Sequence, residues 1–393
     1  MPAEMGADDG LYLTRAKLIL ADQVVNDGAL LVDGTEISEI CPNSRPVGVP
    51  ELDLNGQYLL PGMVDLHSDT IEGVVEPRPG VGLPLPFAVA QMDRRTAHVG
   101  ITTMYHSLSF TAGELGPNFL ERATELARTI VVCRERCLVD HWVHCRYEIT
   151  DATALSYVER LIDEGVCSLV SLMDHMPMEG QFRDDLPGFK DYLQRKYRYT
   201  DEEFATLYKI KEANWSTNMA RMRHLADKAH SANVPLASHD DDTPKRVQRM
   251  QELGVKICEF PMNVPTAEFI AKAGLHSLVG APNVFRGGSQ RHDYKAADFL
   301  GLGHVDCMCS DYSPETMLPA IFRLAREKVL SLPEATNTST RNPAQAVGLD
   351  DRGELRTGAR ADMLAVRFVG DHPFVTHTWV RGREVFRARY SNI

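Results

Sequence analysis

The alternation of apolar and polar positions divides the chain into two β-rich ends and a longer middle part. The ends read as short strands with turns, LYLTRAKLIL and VVNDGALLVDGTEISEI at the start and RADMLAVR, THTWVRG and REVFRARY near the end. The turns NDG and VDG are typical of hairpins between such strands. We therefore predict a small β-sandwich built from both ends of the chain, residues 11–57 and 345–393.

In the middle part, short apolar runs alternate with longer amphipathic segments. Eight runs read as strands: YLLPGMVDLH, GITTMYHSLSF, DHWVHCRYEI, CSLVSLMDH, VPLASHD, VKICEFP, HSLVGAPN and HVDCMCSDY. This alternation is typical of βα units with a parallel sheet, and eight units in roughly 290 residues match a TIM-like (β/α)8 barrel. We predict an α/β fold with this barrel over residues 58–344. A doubly wound open sheet is the rival fold, but no glycine-rich phosphate loop follows the first strand.

The first predicted barrel strand ends in two acids and a histidine. In LLPGMVDLHSDTIE, Asp65, His67 and Asp69 occupy every second position. Period-two spacing predicts that all three share one side of the strand, while Val64 and Leu66 face the other. The apolar face of this strand would then pack in the core, and the polar face could hold a cation. The alternative is a strand edge with solvated polar residues.

Acids and imidazoles recur at the ends of most predicted strands. The carboxyl-terminal strand ends of such a barrel carry its active site. A single histidine at such an end is more often structural, but a set from seven strands indicates a metal centre. Mixed imidazole and carboxylate ligation suits zinc, manganese or ferrous iron, and the number of ligands suggests two divalent metal ions. The strand-end residues are His67, Asp69, His106, Glu148, Asp174, His175, His239, Asp240, Asp241, Asp242, Glu259, Asn283 and Asp311.

Two metal ions that share one pocket generally need a bridging anion from the protein. Some barrels supply it with a carboxylated lysine, but no lysine occurs between Lys17 and Lys190. Glu148, at the end of the run CRYE, is therefore the best candidate for the bridge.

Composition and charge exclude some classes of function. A net charge of −12 argues against a nucleic-acid partner. No apolar run is long enough to span a membrane, and the first residues, MPAEMGADDG, lack the features of a secretory signal, so we expect a cytoplasmic protein. A phosphorylated small molecule stays compatible with the acidic chain, because nearby arginines or a bound metal outweigh the global charge.

Two sets of motifs resemble known families. PGMVDLHSD resembles the first-strand signature of the amidohydrolase superfamily, and NPAQAVGLDDRGELRTGARADMLAV resembles its return into the β-sandwich. The usual His-x-His of that superfamily is His67-x-Asp69 here, a replacement that the PhnM family shares. Over roughly residues 11–388 the chain resembles this narrower family in DLHSDTIEGVVEPRPG, GITTM, SLVSLMDHMP, the QF of GQFRD, ASHDDDTP, CEFP, GAPNVFRGGS and SDYSP.

Members of the PhnM family are α-D-ribose 1-methylphosphonate 5-triphosphate diphosphatases of the carbon–phosphorus lyase pathway. The resemblance implies a metal-dependent hydrolase that cleaves a phosphoric anhydride and releases the 5-phosphate and diphosphate. Two divalent ions, zinc with manganese or iron as alternatives, would activate a water molecule. Asp311 would bind one ion and accept the proton, and Glu259 or Asp174 could replace a ligand. The full predicted ligand set is His67, Asp69, Glu148, His175, His239 and Asp311.

The triphosphate needs positive partners beyond the metals. Arg286, Gly287, Gly288 and Ser289 form an RGGS loop after strand seven, where backbone N–H groups and a guanidinium could bind phosphate; the alternative is a plain turn with a helix cap at Ser289. Arg78 lies between two prolines after strand one, and Arg183 follows strand four. The alternative for Arg183 is a solvated, charged helix face.

Two rival functions use the same predicted barrel. An amide or cyclic-amide hydrolase would attack a carbonyl carbon and would not require Arg78 and Arg286 together beside the metals. A catalytically inactive metal-binding scaffold is the rival of another class, and nearly complete ligand and base positions argue against it. The expected partner is a phosphorylated sugar phosphonate, and a homodimer is compatible with an exposed sandwich and barrel.

Overall fold

Two sheets with surrounding helices make up the computed structural model, which describes residues 10–78, 80–111, 119–288 and 295–389. The strands are β1 (Leu11–Ile19), β2 (Val24–Asp33), β3 (Glu36–Ile40), β4 (Glu51–Asp53), β5 (Tyr58–Pro61), β6 (Met63–Ser68), β7 (Ile101–Phe110), β8 (Asp140–Glu148), β9 (Cys167–Met173), β10 (Leu236–His239), β11 (Ile257–Glu259), β12 (His276–Gly280), β13 (Cys307–Cys309), β14 (Met363–Val369), β15 (His372–Val380) and β16 (Arg383–Arg387).

Helices follow most of the middle strands. The α-helices are α1 (Thr70–Val75), α2 (Leu85–Val99), α3 (Phe119–Cys133), α4 (Ala152–Asp163), α5 (Leu186–Tyr197), α6 (Asp201–Trp215), α7 (Asn218–Ser231), α8 (Pro244–Glu252), α9 (Val264–Lys272), α10 (Ala281–Arg286), α11 (Ala296–Gly301), α12 (Met317–Arg326), α13 (Leu332–Asn337) and α14 (Arg341–Ala346). Short 3-10 helices span Arg134–Arg136, Gly180–Phe182 and Pro314–Thr316. Among the described residues, the helices are all too short or too polar to cross a membrane.

The middle strands form the predicted barrel. Within the described residues, β6 to β13 build one eight-stranded parallel sheet in chain order. Its two edges meet where Ser68 bridges Asp311. There the Asp311 N–H donates to the His67 carbonyl at 2.9 Å, and the Asp69 N–H donates to the Asp311 carbonyl at 3.1 Å. These bonds hold the ends of the first and last barrel strands together.

Period-two alternation divides the barrel strands between two cores. On β8, Val143, Cys145 and Tyr147 belong to the large core between sheet and helices. The alternate positions of most strands fill the barrel interior with a second apolar cluster, named here the interior cluster: Val64, Leu66, Tyr105, Leu169, Ala237, Ile257, Leu278, Cys307 and Cys309. Polar side chains at the strand ends lie above this cluster, at the barrel mouth.

The first barrel strand corrects the expectation that Asp65, His67 and Asp69 share one side. Between Asp65 and Ser68, β6 advances three residues while β7 advances two, which is a β-bulge. As a result Leu66 belongs to the interior cluster and the next residue, His67, also contacts interior residues. Asp65 instead accepts the backbone N–H of Ser310 at 2.9 Å. The bulge, which the period-two pattern does not reveal, directs His67 into the mouth.

The second sheet joins both ends of the chain, as predicted. Its order is β16, β15, β14, β5, β1, β2 and β3, with β4 paired to β1. The antiparallel pairing of β14 with β5 connects the two ends. The predicted strand YLLPGMVDLH is divided, because Tyr58–Pro61 pairs in this sheet and the barrel strand begins at Met63. The predicted domain limits, 11–57 with 345–393 and 58–344, stay a proposal.

Buried ion pairs fasten the carboxyl-terminal segment to the barrel at the start of β8. Asp140 accepts hydrogen bonds from Arg352 at 2.7 Å and from Arg360 at 2.6 Å. Burial alone would raise the pKa of Asp140, but the two guanidinium groups outweigh it and lower the pKa to about 2. This carboxylate therefore stays ionised in the folded protein.

A long insertion between β9 and β10 carries α5, α6 and α7. Its aromatic and aliphatic side chains form a separate apolar cluster, Met176, Phe182, Phe189, Leu193, Phe204 and Leu207. Thr200 and Glu203 form a capping box at the start of α6. At the other end, Asn214 donates to the Thr150 carbonyl at 3.1 Å. The insertion is thereby held against the carboxyl end of β8.

Candidate metal centre

Three of the predicted imidazole ligands converge at the barrel mouth. His67 comes from β6, His239 from the end of β10, and His175 from the loop after β9. The ring centroids of His67 and His239 are 5.5 Å apart, and those of His175 and His239 are 6.4 Å apart. His67 is only 1% exposed and His239 only 8%. The structure thus brings these histidines together from three separate parts of the chain.

A carboxylate lies beside the Nδ1 atom of each of these imidazoles. The pairs are His67 with Glu259 at 2.9 Å, His175 with Glu148 at 2.9 Å, and His239 with Asp240 at 3.1 Å. Metal-binding histidines commonly donate one ring N–H to a carboxylate. This hydrogen bond fixes the tautomer of the ring and leaves the other ring nitrogen free to bind the metal. This arrangement leaves Nε2 of each ring as a potential ligand.

Glu148 is fully buried at the end of β8. Its Oε1 accepts the Thr150 hydroxyl at 2.6 Å and lies 3.2 Å from the Lys211 ammonium. Burial alone would raise the pKa of Glu148, but Lys211, His175 and Thr150 together lower it. The carboxylate is therefore ionised and suited to a cation. Its predicted role as the bridge between two metals stays a prediction.

Asp311 lies at the junction of the first and last barrel strands. It has a positive φ of 54°, a backbone conformation that is uncommon outside glycine and that Asp adopts more readily than most residues. Burial and the neighbouring charge of Asp69 raise its pKa to about 6. A Cβ atom at Gly280 would come within 3.1 Å of Asp311 Oδ2, so glycine leaves room for this carboxyl group. Asp69 is half-buried at the start of α1.

The donor chemistry fits divalent transition-metal ions. Imidazole nitrogen and carboxylate oxygen are the usual ligands of zinc, and those of His67, His175, His239, Glu148 and Asp311 lie at one end of the barrel. The ligand atoms of His67, His144 and Glu259 also lie within 4.8 Å of one another. The described residues therefore contain candidate metal sites at the predicted place.

Glu259 and Asp174, the two acids that could replace a predicted ligand, have different surroundings. Glu259 accepts the Ser171 hydroxyl at 2.7 Å and pairs with His67, so both of its oxygens are engaged. Burial alone would raise the pKa of Glu259, but His67 and His144 outweigh it and lower the pKa. Asp174 accepts the Met176 N–H at 2.9 Å, and burial raises its pKa to about 7. Glu259 is thus the one in contact with a predicted ligand.

The predicted substrate-binding arginines are exposed. Arg78 shares a backbone bridge with Val81 in its own loop. Arg183 pairs with Asp242 at 3.0 Å.

Arg286 is also exposed and donates to Asn283 at 3.2 Å and to the Gly288 carbonyl at 3.2 Å. Gly287 has a φ of 82° and ends α10, a conformation that suits glycine. Ser289 lies outside the described residues. The substrate-binding roles of this loop, of Arg78 and of Arg183 stay predictions.

His106, which was predicted to lie at a strand end, is inside β7 and away from the mouth. The Nε2 atom of His106 is 2.8 Å from His141 Nδ1, and His141 Nε2 is 3.0 Å from Asp93 on α2. These contacts place His106 between the sheet and the helix layer. The expectation that it belongs to the strand-end cluster is wrong, because its position on β7 faces the outer core.

Two cations in this region were missed by reasoning from the sequence. Lys211 on α6 is 2% exposed and contacts Glu148, although it is distant in sequence. A signal existed, since Phe204, Leu207 and Lys211 occupy positions i, i+3 and i+7 on the buried face of that helix. Arg146 precedes Glu148 by two residues, and period two puts both on the inner face of β8.

A family profile described as "Amidohydrolase family" matches residues 200–386 of the chain. The chain is also 33% identical over 384 residues to the alpha-D-ribose 1-methylphosphonate 5-triphosphate diphosphatase of Escherichia coli (strain K12). That similarity covers 96% of this chain and 100% of the relative.

Solved structures with low sequence identity share the fold. The N-acetylglucosamine-6-phosphate deacetylase of Pasteurella multocida superposes with a TM-score of 0.61 at 15% identity, covering 95% of this chain and 99% of that one. A triazine hydrolase variant superposes with a TM-score of 0.63 at 15% identity, covering 96% and 94%. At such identities these similarities show a common architecture and carry no inference about substrate.

Proposed function

Because the chain belongs to the PhnM family of the amidohydrolase superfamily, we propose that it hydrolyses α-D-ribose 1-methylphosphonate 5-triphosphate to the 5-phosphate and diphosphate. The observation that carries this proposal is the 33% identity with the Escherichia coli diphosphatase over 96% of the chain. The convergence of His67, His175 and His239 supports the same chemistry. The reaction would belong to phosphonate metabolism, and we expect it to take place in the cytoplasm.

The residues at the mouth would hold two divalent ions, with zinc as the expected metal. Bound there, such ions would lower the pKa of a water molecule and neutralise charge on the phosphate. His67, His175 and His239 would contribute imidazole nitrogens, and Asp69, Glu148 and Asp311 would contribute oxygens. Glu259 beside His67 Nδ1 and Asp240 beside His239 Nδ1 would hold those two rings in one orientation.

Asp311 would accept the proton of the attacking water. Its backbone is fixed at the barrel junction, because its N–H and C=O are bonded to His67 and Asp69. Attack at the α-phosphorus would release the β- and γ-phosphates together as diphosphate. Arg78, Arg183 and the loop of Arg286, Gly287, Gly288 and Ser289 would contact outer phosphates, where exposed guanidinium groups can reach a long substrate.

Product analysis tests the proposed reaction. We expect the metal-loaded protein to convert the ribosyl triphosphate into equal amounts of 5-phosphate and diphosphate, as measured by phosphorus NMR. The same preparation should be assayed with a cyclic amide, and its metal content should be measured. Release of inorganic phosphate instead of diphosphate, or hydrolysis of the amide alone, would contradict the proposal. A preparation that binds metal but hydrolyses neither compound would favour the metal-binding scaffold.

Replacement of Glu259 by glutamine should weaken metal binding. The amide keeps the shape of the side chain but loses the negative charge beside His67 Nδ1, so we expect about a 10–100-fold lower affinity for Zn²⁺. Competition with a chromogenic chelator measures this affinity without any assay of turnover. Glu121→Gln, which changes an exposed acid on α3, is the matched control and should bind Zn²⁺ like the parent. If the Glu259 variant binds Zn²⁺ with the affinity of the parent, the Glu259 carboxylate does not support metal binding through His67.

A further inference from the structure

Two cationic side chains lie at the barrel mouth, one in contact with Glu148 and the other two residues before it on β8. Lys211 approaches from α6 and places its ammonium nitrogen 3.2 Å from Glu148 Oε1. Arg146 lies two residues before Glu148 on β8, and its Nη2 donates to the Ser109 hydroxyl at 2.8 Å. The two cations come from different elements, a barrel strand and the insertion.

The position of Arg146 follows from its neighbours on the strand. His144 and Glu148 share the inner face of β8, since His144 lies 3.9 Å from Glu259 and Glu148 lies 2.9 Å from His175. Arg146, halfway between them, faces the same interior. Its side chain is half-buried, so it can contact both the interior and a molecule in the mouth.

Lys211 is the more unusual of the two residues. Its side chain is 3% exposed, and an ammonium group removed from water requires a negative partner. Glu148 is that partner here. A divalent ion bound to Glu148 would take up part of the carboxylate's negative charge. The Lys211 ammonium could then neutralise a second anion beside the metal centre.

We propose that Arg146 and Lys211 form an anion subsite that binds phosphoryl oxygens of the triphosphate next to the metal centre. The assignment rests on the proposed function. An arginine fork binds two phosphate oxygens at once, and a lysine ammonium binds phosphate as a compact charge. The subsite lies deeper than the exposed Arg78, Arg183 and Arg286, so it would hold the phosphates that react.

Binding of inorganic pyrophosphate to the metal-loaded, full-length protein tests the subsite. We expect Arg146→Met and Lys211→Met each to lower the affinity measured by calorimetry at least about 10-fold. Their metal content and circular dichroism should equal those of the parent. Arg128→Met and Lys228→Met are matched controls, because each removes a cation paired with an acid on the outer helices. Both controls should bind pyrophosphate like the parent.

Lys211→Arg separates substrate binding from a purely structural ion pair. Recovery of pyrophosphate affinity in this variant, with Lys211→Met still deficient, would support the subsite. Parent-like affinity in both methionine variants would overturn the proposal. Loss of metal or of folding in both Lys211 variants would assign Lys211 to positioning Glu148 and overturn its part in the subsite. Arg146→Met would then decide whether the remaining cation binds the anion.

The two proposals fail in different ways. If the parent binds pyrophosphate through Arg146 and Lys211 but releases no diphosphate from the ribosyl triphosphate, the proposed reaction is wrong and the subsite stands. If diphosphate is released and pyrophosphate affinity is independent of both residues, the subsite alone is wrong.

Discussion

Asp311→Asn should lower kcat about 10²–10⁴-fold while most of the bound metal is retained, because the amide can still offer an oxygen ligand but cannot accept a proton. The fixed backbone of Asp311 makes this substitution informative, since its N–H and C=O bonds to His67 and Asp69 do not depend on the side chain. Turnover of the ribosyl triphosphate and metal content per chain should be measured on the same preparation.

The control for this variant is an acid-to-amide change far from the mouth. Asp163→Asn alters an exposed residue on α4, and we expect its kcat to equal that of the parent. Near-normal turnover in Asp311→Asn would remove Asp311 from the role of base. Loss of all metal would show that Asp311 acts chiefly as a ligand.

Asp140→Asn should destabilise the protein by about 3 kcal/mol, near the lower end of the range for breaking a buried ion pair. Arg352 and Arg360 would lose their shared carboxylate at the start of β8. The cost stays at the lower end because Arg352 keeps Asp351 and Arg360 keeps Asp362. Urea unfolding followed by circular dichroism measures the change in the free energy of unfolding.

The acid dependence of the same variant gives a second measurement. The pKa of Asp140 is about 2 in the folded protein and about 3.9 in an unfolded chain. Its stabilising contribution is therefore present above the unfolded value and is lost as the pH falls through the folded value. The difference in the free energy of unfolding between parent and variant should therefore become smaller as the pH falls over this range. Glu164→Gln, which removes an exposed ion pair with Arg128, should leave stability unchanged. If Asp140→Asn changes the free energy of unfolding as little as Glu164→Gln does, the prediction is wrong.

Several features of the mouth were predictable from strand ends alone. His67, Glu148, His239 and Asp311 occur where predicted parallel strands end, and such ends meet at one edge of a barrel. His106 was assigned to the same set, but it lies inside β7, which ends at Phe110, and it faces the outer core. The position of a residue near a strand end is local information, but the face it occupies depends on register and bulges, which only pairing with the neighbouring strand determines.

The carboxylates beside the histidines could not be assigned from the sequence. Glu259 is far from His67 in the chain, and any of several acids might have been expected to hold that ring. The three acids after His239 gave no basis for choosing Asp240 over its neighbours. Choosing among equivalent side chains requires distances, and these arise only when the strands close.

By itself the sequence determined the βα alternation, the return of both chain ends into a second sheet and the kinds of ligand at the strand ends, because each depends on local periodicity or residue type. The tertiary structure alone decided that a bulge directs His67 inward. It also decided that Lys211 comes from the insertion to contact Glu148. These contacts join segments distant in the chain, so they depend on how the strands and the insertion pack.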